Sequence, residues 1–113
     1  MYLNGGVSVS SHVLDAVAGA PAVGMTLRLE QRTDGWSPVG SGLTDDDGRW
    51  RRDDALPAGV YRLAFDTGGW FASRGQATFY PEVSVVFEIV DAASHHHVAL
   101  LLSPFAYSTY RGS

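Results

Sequence analysis

The sequence predicts an all-β domain, a sandwich or barrel of about eight short strands. Two observations carry that expectation. Apolar and polar residues alternate at a period of two in segment after segment, which is the mark of a half-buried strand. Turn residues recur every ~8–12 positions, in a chain of 113 residues holding 13 glycines and 5 prolines. Only one stretch has the look of a helix, and it is short.

Val7 to Asp15 opens the pattern, with Val7, Val9 and Val13 on one face and Ser8, Ser10, His12 and Leu14 on the other. Ala18-Gly19-Ala20-Pro21 breaks it. Met25 to Arg32 sets Met25, Leu27 and Leu29 against Thr26, Arg28 and Glu30. Thr33-Asp34-Gly35 is a hairpin turn, and Trp36 to Leu43 is a weaker strand interrupted by Pro38, Gly40 and Gly42. Thr44 to Gly48 is a second tight turn that delivers Arg49 to a short segment. Leu56 to Gly59 turns into Val60 to Asp66, where Tyr61, Leu63 and Phe65 share a face. Trp70 to Arg74, between Gly68-Gly69 and Gly75, is the one expected helix. Val83 to Val90 is β-branched, with Val83, Val85, Phe87 and Ile89 on one side. His95 to Leu102 and Tyr107 to Arg111 close the set, separated by Ser103-Pro104.

Composition excludes several chemistries. There is no cysteine, hence no disulfide framework, thiolate metal site or thiol nucleophile. All 8 basic residues are arginine, so Schiff-base, Walker-type and general-base lysines are absent as well. A net charge of −4 argues against general nucleic-acid binding. The opening residues lack a signal-peptide pattern, and the longest apolar run, Val98 to Leu102, is far below the ~20 residues that span a bilayer. The expected location is cytoplasmic. Acid–base chemistry near neutral pH therefore rests on 4 histidines and 12 carboxylates.

Three of the histidines are consecutive. On a strand, His96 shares a face with Val98, Leu100 and Leu102 and should point to the core. His95 and His97 point the other way, with Ala99 and Leu101, and His12 lies on a strand face with Ser8 and Ser10. Several imidazoles can thus converge on one wall. Plain surface histidines at a sheet edge are one reading. A metal site built on the His95-x-His97 spacing with His12 is another. Other groups have structural readings: Asp45-Asp46-Asp47-Gly48 lacks the spacing and final Glu of a calcium loop and reads as a polar turn. Trp36, Trp50 and Trp70 read as core or interface aromatics. Arg49, directly after Gly48, is aimed by its turn, while Arg51 and Arg52 read as solvated.

Several segments together resemble a known family. His12-Val13-Leu14-Asp15 with Ala16 to Pro21, Thr44 to Arg49, Thr78-Phe79-Tyr80-Pro81-Glu82 and Leu101-Leu102-Ser103-Pro104 are similar to the transthyretin family. Tyr107-Ser108-Thr109 followed by Tyr110-Arg111-Gly112-Ser113 resembles its enzymatic branch, the 5-hydroxyisourate hydrolases. The resemblance runs from Val9 to Ser113, and the five segments fall in the family's order. It implies a prealbumin-like sandwich of two four-stranded sheets with one short helix over residues 7–113, preceded by a flexible extension over residues 1–6. It also implies a homotetramer, a dimer of dimers with active sites in a channel between dimers, acting on 5-hydroxyisourate without metal or cofactor.

The catalytic positions implied by the resemblance are His12, Arg49 and His97, and Tyr110, Arg111, Gly112 and Ser113 line the substrate site. The two histidines would activate water and return its proton, and Arg49 would hold the substrate's anionic or carbonyl edge. The transport branch replaces these residues, so small-molecule carriage without catalysis is the alternative. Two departures stand out: the family's usual His-Tyr-His-Val-Pro is His95-His96-His97-Val98-Ala99 here. His96 should face away from the chemistry, and losing the proline frees a backbone N–H at Ala99.

Overall fold

The computed structural model describes residues 8–113, so Val7 and the expected extension over residues 1–6 lie outside the described residues. Nine strands and one helix follow in the order β1 (Val9–Asp15), β2 (Ala20–Pro21), β3 (Thr26–Arg32), β4 (Trp36–Leu43), β5 (Arg49–Arg52), β6 (Gly59–Phe65), α1 (Thr67–Ala72), β7 (Val83–Ile89), β8 (His96–Ser103) and β9 (Ala106–Gly112). They form two sheets, β4-β3-β6-β7 and a second in which β8 lies between β1 and β9. The second sheet has five strands because β2 and β5 share the free edge of β1: β5 pairs Val9 to His12 and β2 pairs Leu14 and Asp15. Both sheets are therefore four strands wide, as expected. The break at Ala18 to Pro21 is long enough to return as a two-residue strand.

The alternation read from the sequence decides what is buried. Met25, Leu27 and Leu29 meet Tyr61, Leu63 and Phe65 between the sheets, with Val9, Val13, Leu100 and Leu102 opposite. Burying each such side chain contributes roughly 1.5–3 kcal/mol, so this layer dominates stability. The interruptions in β4 are matched to β5. A Cβ on Gly42 would enter the indole of Trp50, and one on Gly40 would enter the guanidinium of Arg52, whose Nη1 donates to the Val39 carbonyl at 2.7 Å. Pro38 is tolerated because β4 is an edge strand, at a register shift where Val39 is left unpaired.

The helix begins earlier than expected, at Thr67 in place of Trp70. The sequence pattern marks Gly68 and Gly69 as breakers. In the fold they are the first turn: Asp66 caps it by accepting from the Gly69 N–H at 3.1 Å. Side chains there would collide with Pro81 and with the Asp66 carboxylate. The helix turns Trp70 and Phe71 inward and ends before Gly75.

Two of the family-like segments are joined. Thr78 Oγ1 donates to the Pro104 carbonyl at 2.7 Å, and the Phe79 N–H donates to the same oxygen at 2.9 Å. The 78–82 segment is thereby tied to the turn between β8 and β9.

Candidate active site

Strand pairing places five of the seven expected site residues on one outer face. Paired residues share a face, so two rungs can be read across the second sheet. One rung runs Arg49, His12, Ala99, Tyr110; the next runs Arg51, Ser10, His97, Gly112. His12, Arg49, His97, Tyr110 and Gly112 are thus brought together from four strands far apart in sequence.

The turn before Arg49 explains its position. The Asp45 carboxylate accepts from the Asp47 and Arg49 N–H groups, each at 2.9 Å, and the Asp45 carbonyl accepts from the Gly48 N–H at 2.9 Å. These bonds hold the Asp45 carboxyl below its ordinary range, the Arg49 N–H first among the causes. Gly48 sits at φ +74°, and a Cβ there would strike the Val13 carbonyl. Thr44, buried beneath, donates to the Ala22 carbonyl at 2.6 Å and accepts from the Met25 N–H at 2.9 Å. The acidic run is therefore a polar turn, as the sequence suggests, and it fixes the backbone from which Arg49 projects. Among the described residues Arg49 makes no ion pair.

His97 is held from two sides. Its Nδ1 lies 2.6 Å from Ser10 Oγ, and its ring covers Gly112, where any Cβ would collide with Cδ2. Burial, then the nearby charges of His95, Arg49 and His12, push its pKa below the ordinary imidazole value. With Nδ1 engaged, Nε2 is the nitrogen left for a ligand. His95 Nε2 lies 2.7 Å from the same hydroxyl. His96 faces inward as expected, 6% exposed, and is also held below the ordinary value, chiefly by burial and then by Arg111.

Not every expected residue joins this face. Arg111 pairs with Val98, on the side opposite Tyr110 and Gly112, and its Nη2 donates to the His95 carbonyl at 3.2 Å. Ser113 follows the last strand and is exposed. Ser10 was noticed only as a neighbour of His12 in the strand pattern, and its bridge to two imidazoles was not anticipated. Its signal was its place two residues before His12, on the same face.

Among the described residues, no group of three or more His, Asp or Glu side chains is arranged to hold a metal ion. His95 Nε2 and His97 Nδ1 are instead both turned to a serine hydroxyl. A hollow of about 700 Å³ beside this face is lined by Arg49, Trp50, Ser10 and His95 but by neither His12 nor His97. A smaller hollow of about 300 Å³ lies between β7 and the β8-β9 pair, against Val85, Phe87, His96, Val98 and Arg111. A single chain thus presents an open wall rather than a closed pocket.

The fold and this wall of imidazoles and an unpaired arginine define a transthyretin-like sandwich equipped for acid–base chemistry. The chain belongs to the HIUase/Transthyretin family, whose sequence profile matches residues 9–112. It is 47% identical over 110 residues to a 5-hydroxyisourate hydrolase of Salmonella dublin, covering 93% of this chain and 80% of the relative. The solved 5-hydroxyisourate hydrolase of Klebsiella pneumoniae superposes with a TM-score of 0.85 at 35% identity, over 94% of this chain and 99% of the other. Sea bream transthyretin in complex with thyroxine superposes equally well, with a TM-score of 0.86 at 36% identity over 92% and 93% of the two chains. Backbone shape alone therefore does not separate the enzyme from the carrier; the side chains on the outer face must.

Proposed function

We propose that this protein hydrolyses 5-hydroxyisourate to 2-oxo-4-hydroxy-4-carboxy-5-ureidoimidazoline in urate catabolism. The observation that carries the reading is the convergence of His12, Arg49 and His97 on one face, with Tyr110 and Gly112 beside them. The hydrolase relatives support the substrate.

Opening a cyclic amide requires a water made nucleophilic, a stabilised oxyanion and a proton for the leaving nitrogen. His97, kept neutral by burial, takes a proton from water at Nε2. The resulting hydroxide adds to the ring carbonyl, and the developing negative charge falls to Arg49. His12, on the same rung as Arg49, orients the water and shares in returning the proton as the C–N bond breaks. The ring opens to a carboxylate and a ureido group. Positioned acid–base groups of this kind contribute about 10²–10⁴ in rate. No step calls on a metal or cofactor.

Tyr110 and Ser113 bind substrate by hydrogen bonds, and Gly112 keeps room for the His97 ring. Arg111 belongs to the same tetrapeptide but acts by holding the His95 backbone. The open wall is closed by assembly: two copies facing each other across a channel in a homotetramer, a dimer of dimers. Tyr107, Phe105 and Tyr110, all exposed, and half-buried Leu101 lie in the region this would cover. The enzyme works in the cytoplasm; no helix among the described residues is long and apolar enough to cross a membrane.

The test is the decay of freshly generated 5-hydroxyisourate, followed by absorbance, with the wild type and with Arg49→Ala. Fast decay with the wild type, lowered ~10²–10³-fold in the variant, is expected. Equal rates would refute the role of Arg49. Saturable binding of an aromatic ligand with no hydrolysis would favour a carrier.

A further inference from the structure

We propose that His95 and Ser10 form a proton relay that sets the tautomer of His97 and empties its proton into the neighbouring cavity. Both are positioning residues for the hydrolysis proposed above, and the catalytic consequence rests on that reading. The tautomer does not.

A serine hydroxyl carries one proton. Between two imidazole nitrogens at 2.7 and 2.6 Å it can donate to only one, and a proton path through it requires that it accept from the other. Two arrangements run the hydroxyl proton between neutral rings. In the first, His97 Nδ1–H donates to Ser10 Oγ, and Ser10 donates to His95 Nε2. His97 Nε2 is then bare and faces water as a base, while His95 keeps its proton on Nδ1. In the second, every bond is reversed and His97 Nε2 carries the proton. The rings lie 6.1 Å apart by centroid, so the hydroxyl, not ring contact, links them.

The first arrangement converts to the second with balanced protons. His97 Nε2 takes a proton from water, Nδ1 passes its own to Ser10 Oγ, and Ser10 passes its own to His95 Nε2. His95 then releases its Nδ1 proton to solvent. One proton enters the trio, one leaves, and nothing is oxidised or reduced. The exit exists: His95 and Ser10 both line the cavity of about 700 Å³ beside Arg49. Returning a proton to the leaving nitrogen is the same sequence reversed.

The fold holds the relay in place. Ser10 is directly paired with His97 in the parallel ladder, so its hydroxyl rises beside the ring. Gly112 lets the ring lie flat against β9, and Arg111 holds the carbonyl of His95. The triple histidine that stands out in the sequence thus divides into a base, an inward-facing neighbour and a relay terminus.

The test uses the full chain with ¹⁵N-labelled histidine and two readouts. Ring nitrogen shifts are expected to show His97 in one tautomer in the wild type and in a solvent-like mixture in Ser10→Ala. In the decay assay, Ser10→Ala lowers kcat about 10-fold with KM within about twofold, and Ser10→Thr, which keeps the hydroxyl, restores it. His95→Phe costs a similar factor, and the double variant costs no more than either single one. An unchanged His97 tautomer in Ser10→Ala overturns the relay, as do multiplicative losses in the double variant. If the wild type does not open 5-hydroxyisourate but the tautomer change is found, the relay stands and the catalytic reading falls.

Discussion

The two sheets turn very different outer faces to solvent. On the β4-β3-β6-β7 face, arginines are matched with carboxylates: Arg62 bonds Glu30 at 2.6 Å, and Arg28 bonds Glu82 at 2.9 Å. Arg32 and Arg62 also stack on Trp36, at 5.0 and 4.4 Å from the ring. That face is electrostatically quenched. On the other sheet, the two rungs through His12 and His97 carry arginine, serine, imidazole and tyrosine; Arg51 meets Asp53 at 3.3 Å, but Arg49 makes no ion pair among the described residues. Same architecture and same alternation produce one surface of matched charges and one that sets an arginine without an ion pair beside imidazoles. Catalytic capacity here comes from what is left unpaired.

The contrast can be broken from the site side first. Gly112→Ala adds one methyl group where the His97 ring lies. Activity in the decay assay is expected to fall about 10²-fold, the order of a lost acid–base group. The melting temperature should change little, because the edge strand can yield. Gly48→Ala acts through the backbone: its φ of +74° and its approach to the Val13 carbonyl predict a loss of roughly 1–3 kcal/mol. Thermal melting checks this, with a drop of about 4–8 °C per kcal/mol lost for a domain near this size. Activity should fall too, since Arg49 is the next residue.

The pH dependence sharpens the comparison. Burial, then neighbouring positive charge, lowers the His97 pKa in the folded state. The base therefore stays neutral below the ordinary imidazole value of ~6.5, and the acid limb of kcat/KM should lie below it. Stability runs with the same sign. Between ~6.5 and the lower folded value, the unfolded chain binds more protons, so stability falls as pH falls through that window. His96 adds to the trend. Melting scans between neutral and mildly acidic pH should show it, and His97→Gln should reduce the slope. The smallest effect belongs to the quenched face: Glu82→Gln removes a half-exposed ion pair, for a change of about 0–1 kcal/mol and unaltered hydrolysis.

Much of this was legible in the sequence because strands alternate strictly. The alternation put His96 inward and His97 outward, and it put Met25, Leu27 and Leu29 into the core. What was missed has physical causes. Gly68 and Gly69 read as breakers because glycine is unfavourable in isolated helices, whereas here packing against Pro81 and the Asp66 cap demands them. The resemblance implies Arg111 only as a member of a tetrapeptide, and alternation within that tetrapeptide sends it to the opposite face. Ser10 was passed over because a serine on a strand face is unremarkable until a parallel partner sets a histidine beside it. That pairing joins residues 10 and 97 across most of the chain, and no local pattern encodes it.

The most direct test of the central claim is the rate of 5-hydroxyisourate decay with His97→Ala beside the wild type, both verified as folded by melting. The wild type should accelerate decay strongly, and the variant should lose about 10²–10⁴ of that acceleration. A His97→Ala protein that clears 5-hydroxyisourate at the wild-type rate would contradict the account.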